Sequence, residues 1–227
     1  MADFDERPYI EIKNITKVIK KNIILDNINM KIYKGRICGI KGKNGSGKTM
    51  LFRAICGFIK TDGMIEINGK AIGKNGTYAE DVGVLLEYPG FIPNYTGFKN
   101  LKYLAQINNK IDDEQIKKAL IEVGLDPDEK KVFKKYSLGM KQKLGIAQSI
   151  MENPQIIILD EPTNALDEDS VKKIYDMLNR LKAENKVVII SNHNKEELEA
   201  VCDEIYTIEN GKIINHTSLM GENVNEK

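Results

Sequence analysis

Hydrophobic and polar residues alternate over the first third of the chain with the period of two that is typical of β-strands. The alternation is clearest over residues 9–13, 28–33 and 64–67, and the dipeptide Asn68-Gly69 supplies a turn after the last of them. Alternation of this kind indicates strands with one buried and one exposed face, which is common in antiparallel sheets. The sequence therefore predicts an antiparallel β layer on the N-terminal side of the fold.

Apolar runs without alternation occupy residues 82–86, 155–159 and 187–191, and a similar run at 36–41 lies earlier in the chain. Such runs are typical of strands in a parallel sheet that is covered on both faces. The glycine-containing turn at 209–211 lies between two short apolar runs and predicts a closing hairpin. A mainly parallel sheet is therefore expected beside the antiparallel layer.

Apolar residues recur at helical spacing between the predicted strands. The longest such region runs over 97–151, and its third helix is expected at 141–151. Either Asp112 or Asp113 is expected to cap the second helix of this region. A further amphipathic helix is predicted at 171–181, and the alternation of strands and helices indicates an α/β fold.

The order of these elements predicts a single domain over residues 9–214. Its core is expected to consist of 9–87 and 153–214, with an inserted helical subdomain at about 88–152. Residues 215–227 are polar and are expected to form a frayed tail.

Composition and charge exclude several other classes of protein. The chain has 227 residues, and its 34 basic and 33 acidic residues nearly cancel, which argues against binding of nucleic acid. Its apolar runs are too short to span a bilayer, and its acidic N-terminus does not resemble a signal peptide. The three cysteines are scattered in apolar contexts without zinc-ligand spacing, which favours a reduced, cytoplasmic protein.

The strongest chemical motif lies between the strand at 36–41 and a helical pattern. It matches the phosphate-binding loop G-x-x-x-x-G-K-[ST]. Its residues are Gly42, Lys43, Asn44, Gly45, Ser46, Gly47, Lys48 and Thr49. Backbone amides of such a loop cradle phosphate oxygens, Lys48 is expected to reach the β- and γ-phosphates, and the Thr49 hydroxyl is expected to bind Mg²⁺.

Two carboxylates, Asp160 and Glu161, follow the buried strand at 155–159. The carboxyl ends of parallel strands face the ligand crevice of an α/β sheet. Asp160 is therefore expected to help hold Mg²⁺, and Glu161 to polarise the attacking water.

Two further groups have weaker motifs. Ser137 and Gly139 open a predicted helix, where the hydroxyl is either a plain helix cap or part of a second anion site. His193 follows the strand at 187–191 and is placed to donate a hydrogen bond to a γ-phosphate, although a structural role is the commoner one for an isolated histidine. His216, near the C-terminus, has no comparable position.

Taken together, the motifs resemble those of the ATP-binding cassette (ABC) ATPases over nearly the whole chain. The resemblance rests on the glycine loop, the inserted helices, Tyr136-Ser137-Leu138-Gly139-Met140, the Asp160-Glu161 pair and His193. It implies an ABC ATPase fold, with a P-loop NTPase core, and ATP and Mg²⁺ as cofactors. It also implies a dimer in which Ser137 and Gly139 close the ATP bound by the other subunit. Asp167 matches the segment that links the two sites in this family, and it is also a plausible cap for the next helix.

Three positions depart from the family pattern. Glu87 aligns with the lid glutamine of the family and is expected to act on Mg²⁺ or water, with a plain loop carboxylate as the alternative. Met140 replaces the last glutamine of the signature, which affects contacts to the ribose. Ile19 stands where the family has an aromatic residue that stacks on adenine, so adenine is expected to be held by apolar contact alone.

The resemblance extends to the nucleotide-binding subunits of bacterial peptide-antibiotic and drug efflux systems. It implies an integral-membrane permease as partner, a homodimer or heterodimer of ABC subunits, and a peripheral location on the cytoplasmic face of the cell membrane. The aromatic loop Tyr88–Tyr95 is a candidate contact for the permease, or else an ordinary loop packed on its own subdomain. The main alternative is a soluble ABC ATPase without a permease, for example in metal-cluster assembly. A GTPase or small-molecule kinase has less support, because Asn185-Lys186-Val187-Val188 lacks the aspartate that reads guanine.

Overall fold

The structure, a computed structural model, describes residues 7–73, 76–87 and 90–220. The chain divides into two compact units. The first unit contains the described residues up to Glu80 and those from Leu181 onward, and the second unit runs from Asp81 to Arg180. The inserted subdomain predicted at about 88–152 lies within the second unit, and its boundaries stay a prediction.

The strands and helices of the described residues follow the predicted order. The strands are β1 (Ile10–Ile19), β2 (Asn22–Ile32), β3 (Arg36–Lys41), β4 (Asp62–Ile67), β5 (Lys70–Ile72), β6 (Val82–Leu85), β7 (Ile156–Leu159), β8 (Val187–Asn192), β9 (Glu204–Glu209) and β10 (Lys212–Ser218). The helices are α1 (Lys48–Ile55), α2 (Gly97–Asn108), α3 (Asp113–Glu122), α4 (Leu138–Ile150), α5 (Glu168–Ala183) and α6 (Lys195–Glu199).

The first unit contains the predicted antiparallel layer and a set of parallel strands. The antiparallel sheet has the strand order β2-β1-β4-β5. Separately, β3 pairs in parallel with both β8 and β9, and β9 pairs antiparallel with β10. Val187, Val188 and Ile189 on β8 are fully buried, as the unbroken apolar run predicts.

The strand β10 extends beyond the predicted hairpin. It ends at Ser218, so residues 215–218 belong to a strand and not to the frayed tail that the sequence predicts. Although these residues are polar and exposed, they pair with β9 from Asn215↔Thr207 to Ser218↔Glu204. Backbone pairing therefore decides their structure, and polarity alone does not reveal it. Residues 221–227 of the predicted tail lie outside the described residues.

The second unit contains the parallel pair β6–β7, with Leu85 opposite Leu159 at its carboxyl end, together with the helices α2, α3 and α4. Asp112, and not Asp113, caps α3: its carboxylate accepts a hydrogen bond from Gln115 N at 3.0 Å, and the Gln115 side chain accepts from Asp112 N at 3.1 Å. This reciprocal pair is a capping box.

The helix α4 begins at Leu138, three residues before the predicted start. Ser137 has an extended backbone, and its hydroxyl accepts a hydrogen bond from Met140 N at 3.2 Å. A serine in this geometry caps the first turn of a helix. The motif Ser137-Leu138-Gly139-Met140 is therefore the start of α4 and not a loop before it.

Candidate functional site

The phosphate-binding loop connects β3 to α1 and has the backbone that its glycines allow. A Cβ atom at Gly42 would lie 2.4 Å from Ser46 Oγ and 2.7 Å from the carbonyl oxygen of Ile208, so a side chain does not fit there. Gly45 and Gly47 have φ values of 79° and 112°, in the left-handed region that glycine tolerates. The loop therefore needs glycine at these three positions for its shape.

Two buried side chains of the loop, Lys48 and Ser46, carry groups that can bind an anion. Lys48 is 5% exposed, and its ammonium donates to the carbonyl oxygens of Gly42 at 2.7 Å and Lys43 at 3.2 Å. Among the described residues, the buried Ser46 Oγ has no hydrogen-bond partner. A buried hydroxyl without a partner is costly unless a ligand satisfies it, so these residues fit a bound phosphate. Lys43 and Asn44 are exposed at the rim of the loop, and Thr49 is half-buried.

His193 lies at the same end of the parallel strands as the phosphate loop. It directly follows Asn192, which pairs with Lys41, the last residue of β3. The first amide of the loop, Gly42 N, donates to the Asn192 carbonyl oxygen at 3.3 Å. His193 is exposed, so its imidazole is accessible to a ligand from solvent.

Within the second unit, the carboxylates after β6 and β7 share one cavity of about 400 Å³. The described lining residues are Glu87, Gln142, Asp160, Glu161 and Asn164. The three acidic members come from two adjacent parallel strands, as expected for the carboxyl edge of a sheet. The other two were not predicted as site residues. The helical spacing in the sequence indicates that Gln142 is buried, because it shares one face of α4 with Ile146 and Ser149 at i+4 and i+7. A buried amide needs a hydrogen-bond partner, which marks it as a candidate site residue.

Both Glu87 and Glu161 have a left-handed backbone, with φ values of 59° and 50°. Positive φ is uncommon for residues other than glycine and concentrates at functional sites. Asp160 is positioned by its main-chain amide, which donates to the Leu85 carbonyl oxygen at 2.8 Å. Gln142 is 9% exposed, and its Nε2 donates to the Glu161 carbonyl oxygen at 2.9 Å.

At the start of α4, Ser137 is exposed and serves as the helix cap that one interpretation of the sequence predicts. Its role toward an anion stays a prediction. Gly139 faces the segment that follows Glu161, because a Cβ atom there would lie 2.8 Å from the Ala165 carbonyl oxygen.

Asp167 caps α5, the alternative that the sequence analysis gives for it. Its carboxylate accepts from Ser170 N at 2.8 Å. Hydrogen bonds from the Ser170 side chain and main chain lower the pKa of Asp167, which keeps its carboxylate charged.

Two apolar predictions have different outcomes. Ile19 and its neighbour Val18 are 39% and 49% exposed at the end of β1, so they are accessible to a ligand. Phe91 is only 8% exposed and packs edge-on against Phe133, with 5.2 Å between ring centroids. Its packing agrees with the alternative of a loop packed on its own unit, and a contact of this loop with a permease stays a prediction.

The rest of that aromatic loop is only partly described. Tyr88 lies outside the described residues. Tyr95 is half-buried, with the ammonium of Lys99 4.0 Å from its ring centroid.

Comparison with known proteins identifies the family. Residues 25–164 match the family model described as ABC transporter. The chain belongs to the ABC transporter family. Over 205 residues it is 42% identical to the uncharacterized ABC transporter ATP-binding protein YybJ of Bacillus subtilis (strain 168), covering 90% of this chain and 94% of the relative. It is 38% identical over 213 residues to the bacitracin transport ATP-binding protein BcrA of Enterococcus faecalis, covering 92% of this chain and 69% of the relative.

Solved structures agree on the fold. The ATP-binding cassette MJ0796, solved as a dimer in a post-hydrolysis state with ADP and Pi, matches with a TM-score of 0.84 at 23% identity. The match covers 93% of this chain and 99% of that one. The predicted ABC ATPase fold is therefore confirmed. The family match and the relatives show that the chain is the ATP-binding, ATP-hydrolysing subunit of an ABC transporter. None of the helices described has the length and apolar composition of a membrane span.

Proposed function

We propose that the subunit works as a dimer that encloses two ATP molecules and drives transport through a separate membrane permease. Each ATP lies on the phosphate loop of one subunit and is closed by Ser137 and Gly139 of the other. The observation that carries this proposal is the buried Ser46 hydroxyl, which has no hydrogen-bond partner among the described residues, in a loop where Gly42 leaves no room for a side chain. Such a cradle fits a phosphate group, and the exposed hydroxyl of Ser137 is available to a second molecule.

Within the first unit, binding of ATP changes the partners of Lys48. Its ammonium, which donates to the carbonyl oxygens of Gly42 and Lys43, turns to the β- and γ-phosphates. No side chain caps α1, so its N-terminal amides and helix dipole also favour the phosphates. The exposed Ile19 contacts adenine through apolar surface alone.

The residues present suit Mg²⁺ as the metal. Thr49 supplies a hydroxyl, and Asp160 and Glu87 supply carboxylates, which are the oxygen ligands that Mg²⁺ prefers. When bound, the ion offsets the charge on the β- and γ-phosphate oxygens.

The attack on the γ-phosphate requires an oriented water. Glu161 accepts a hydrogen bond from that water and polarises it, and such a base contributes about 10²–10⁴-fold to the rate. His193 donates a hydrogen bond to the γ-phosphate oxygens as their charge develops. Asp167, which caps α5, links the two ATP sites across the dimer interface.

We further propose export of a peptide antibiotic or drug, with the subunit held at the cytoplasmic face of the membrane by its permease. The sequence resemblance to efflux subunits and the relative named for bacitracin transport support this assignment. The match to the ABC transporter family favours it over a soluble ABC ATPase that acts without a permease. With Phe91 buried, Tyr95 is the described aromatic residue of the loop that is accessible to a partner.

A mixed dimer tests closure by the second subunit. Ser137→Arg should abolish steady-state ATP hydrolysis but leave the dissociation constant of the monomer for ATP unchanged, measured by equilibrium binding. Mixing Ser137→Arg subunits with Lys48→Ala subunits should restore one composite site and about half of the wild-type activity per dimer at most. Loss of ATP binding by monomeric Ser137→Arg would contradict closure in trans.

Co-purification tests the partner. Detergent extracts of cells that produce the tagged chain should yield a polytopic membrane protein with the wild type and less of it with Tyr95→Ala. Tyr78→Ala is a suitable control, because Tyr78 is 61% exposed and lies outside the loop. Equal recovery from all three proteins would remove Tyr95 from the contact.

A further inference from the structure

We propose that Gln142 is a positioning residue that holds the main chain of Glu161 and thereby aims its carboxylate at the attacking water. The same side chain connects Glu161 to α4, the helix that Ser137 caps. This inference rests on the proposed role of Glu161 as the general base. It concerns how that base is held within its own subunit.

The contact itself is a hydrogen bond from a buried amide to a main-chain carbonyl. Gln142 is 9% exposed, and its Nε2 lies 2.9 Å from the Glu161 carbonyl oxygen. The same oxygen also accepts from Asn164 N at 3.1 Å. A carbonyl oxygen has two lone pairs, so these two donors satisfy it and restrict the orientation of its peptide plane. Since that plane adjoins the Cα atom of Glu161, it limits the directions available to the side chain.

Glu161 needs such support because its backbone is in an uncommon conformation. Its φ of 50° lies in the left-handed region, which costs free energy in any residue other than glycine and persists where surrounding contacts enforce it. Gln142 supplies one of these contacts from a helix, which is a more rigid support than a loop. Both residues line the cavity shared with Glu87 and Asp160. The Gln142 amide therefore lies beside the proposed catalytic carboxylates, and it supplies neither a charge nor a catalytic proton.

The helix α4 contacts the segment after β7 at two points. Gln142 holds the Glu161 carbonyl, and Gly139 approaches the Ala165 carbonyl so closely that an added Cβ atom would lie 2.8 Å from it. Ser137, which caps this helix, is five residues before Gln142, an axial distance of about 7.5 Å. The first turn of α4 therefore connects the Ser137 cap to the main chain of Glu161 within one subunit.

Replacing the amide with an apolar side chain of similar length tests the proposal. Gln142→Met should lower kcat by about 10- to 100-fold, because a general base that is misplaced by less than 1 Å loses much of its effect. The dissociation constant for ATP should stay within about twofold of the wild type, because Gln142 contacts the base and not the nucleotide. The matched control is Gln148→Met, which makes the same change at a half-buried position of α4 and should leave kcat unchanged. A folded Gln142→Met protein with wild-type kcat would overturn the proposal.

The proposed role of Glu161 is checked separately by Glu161→Gln. If Glu161→Gln is inactive and Gln142→Met is fully active, positioning by Gln142 is wrong and the general base stands. If Glu161→Gln is itself fully active, the assignment of the base is wrong and the inference falls with it.

Discussion

The imidazole of His216 stacks on the ring of Tyr206, with 4.0 Å between the ring centroids and 5° between their planes. The same imidazole lies 3.2 Å, from Nε2 to Oε2, from the carboxylate of Glu204, which is 4% exposed. Tyr206 in turn donates its hydroxyl hydrogen to the Lys31 carbonyl oxygen at 3.0 Å. In addition to its backbone pairing with β9, the polar strand β10 therefore contacts the first unit through a histidine with two side-chain partners.

This arrangement predicts a pH-dependent effect of Glu204→Gln on stability. Burial raises the pKa of Glu204, and Asp203 raises it further, although His216 and Arg36 act to lower it. A raised pKa in the folded state means that the stability linked to this carboxyl is fully present below its unfolded value and is lost as the pH rises through the folded value. Glutamine removes the buried charge and keeps a hydrogen-bonding oxygen. Glu204→Gln should therefore raise the melting temperature, relative to the wild type, more at pH 8 than at pH 5, measured by differential scanning fluorimetry. An equal difference at both pH values would show that the charge of Glu204 is not the cause.

The capping box of α3 predicts unequal effects for two adjacent aspartates. Asp112→Ala removes the acceptor for Gln115 N and should lower the free energy of unfolding by about 1 kcal/mol. Asp113→Ala removes an ion pair with Lys102 in which both side chains are more than 40% exposed, and it should cost less than about 0.5 kcal/mol. Urea denaturation of both variants measures the difference, and a larger loss in Asp113→Ala would contradict the assignment of the cap.

Local chemistry explains which parts of this structure the sequence could predict. The glycine loop needs particular residue types at fixed spacing, and the buried strands around Ile157 and Val188 need apolar residues on both faces, so both are visible in the sequence. The apolar periodicity places the start of α4 at residue 141, three residues too late, whereas the interpretation of Ser137 as a cap places it correctly. The end of β10 was missed because strand pairing there depends on the backbone of β9 and not on the side chains of β10.

Long-range contacts were the least predictable part of the site. Gln142 and Glu161 are 19 residues apart, and only the packing of α4 against the segment after β7 brings the amide to the carbonyl. The burial of Phe91 likewise depends on Phe133, which lies 42 positions further along the chain. Single-chain periodicity shows which face of a helix is buried, but it does not show which residue that face contacts.

The proposed general base predicts a trapped state. Glu161→Gln keeps the size of the side chain but removes the carboxylate that polarises water, so hydrolysis should fall by about 10²-fold or more while ATP still binds. Because ATP then persists between two subunits, the variant should elute as a dimer in size-exclusion chromatography with ATP and as a monomer with ADP. Lys48→Ala, which removes the contact to the phosphates, should stay monomeric with either nucleotide. A Glu161→Gln variant with wild-type turnover would contradict the assignment of the base.

The close approach of α4 to the segment after Glu161 predicts a specific loss in Gly139→Ala. The added Cβ atom would lie 2.8 Å from the Ala165 carbonyl oxygen, a main-chain atom that cannot move aside cheaply. Alanine favours a helix over glycine by about 0.5–1 kcal/mol, so overall stability should change little while the segment from Glu161 to Ala165 shifts. ATP hydrolysis should therefore fall by about tenfold or more at unchanged ATP affinity of the monomer. Gly90→Ala is the matched control, because a Cβ atom there would have no atom of the described residues within 4 Å, and it should keep wild-type activity. If Gly139→Ala hydrolyses ATP at the wild-type rate, the spacing between α4 and Ala165 has no part in catalysis.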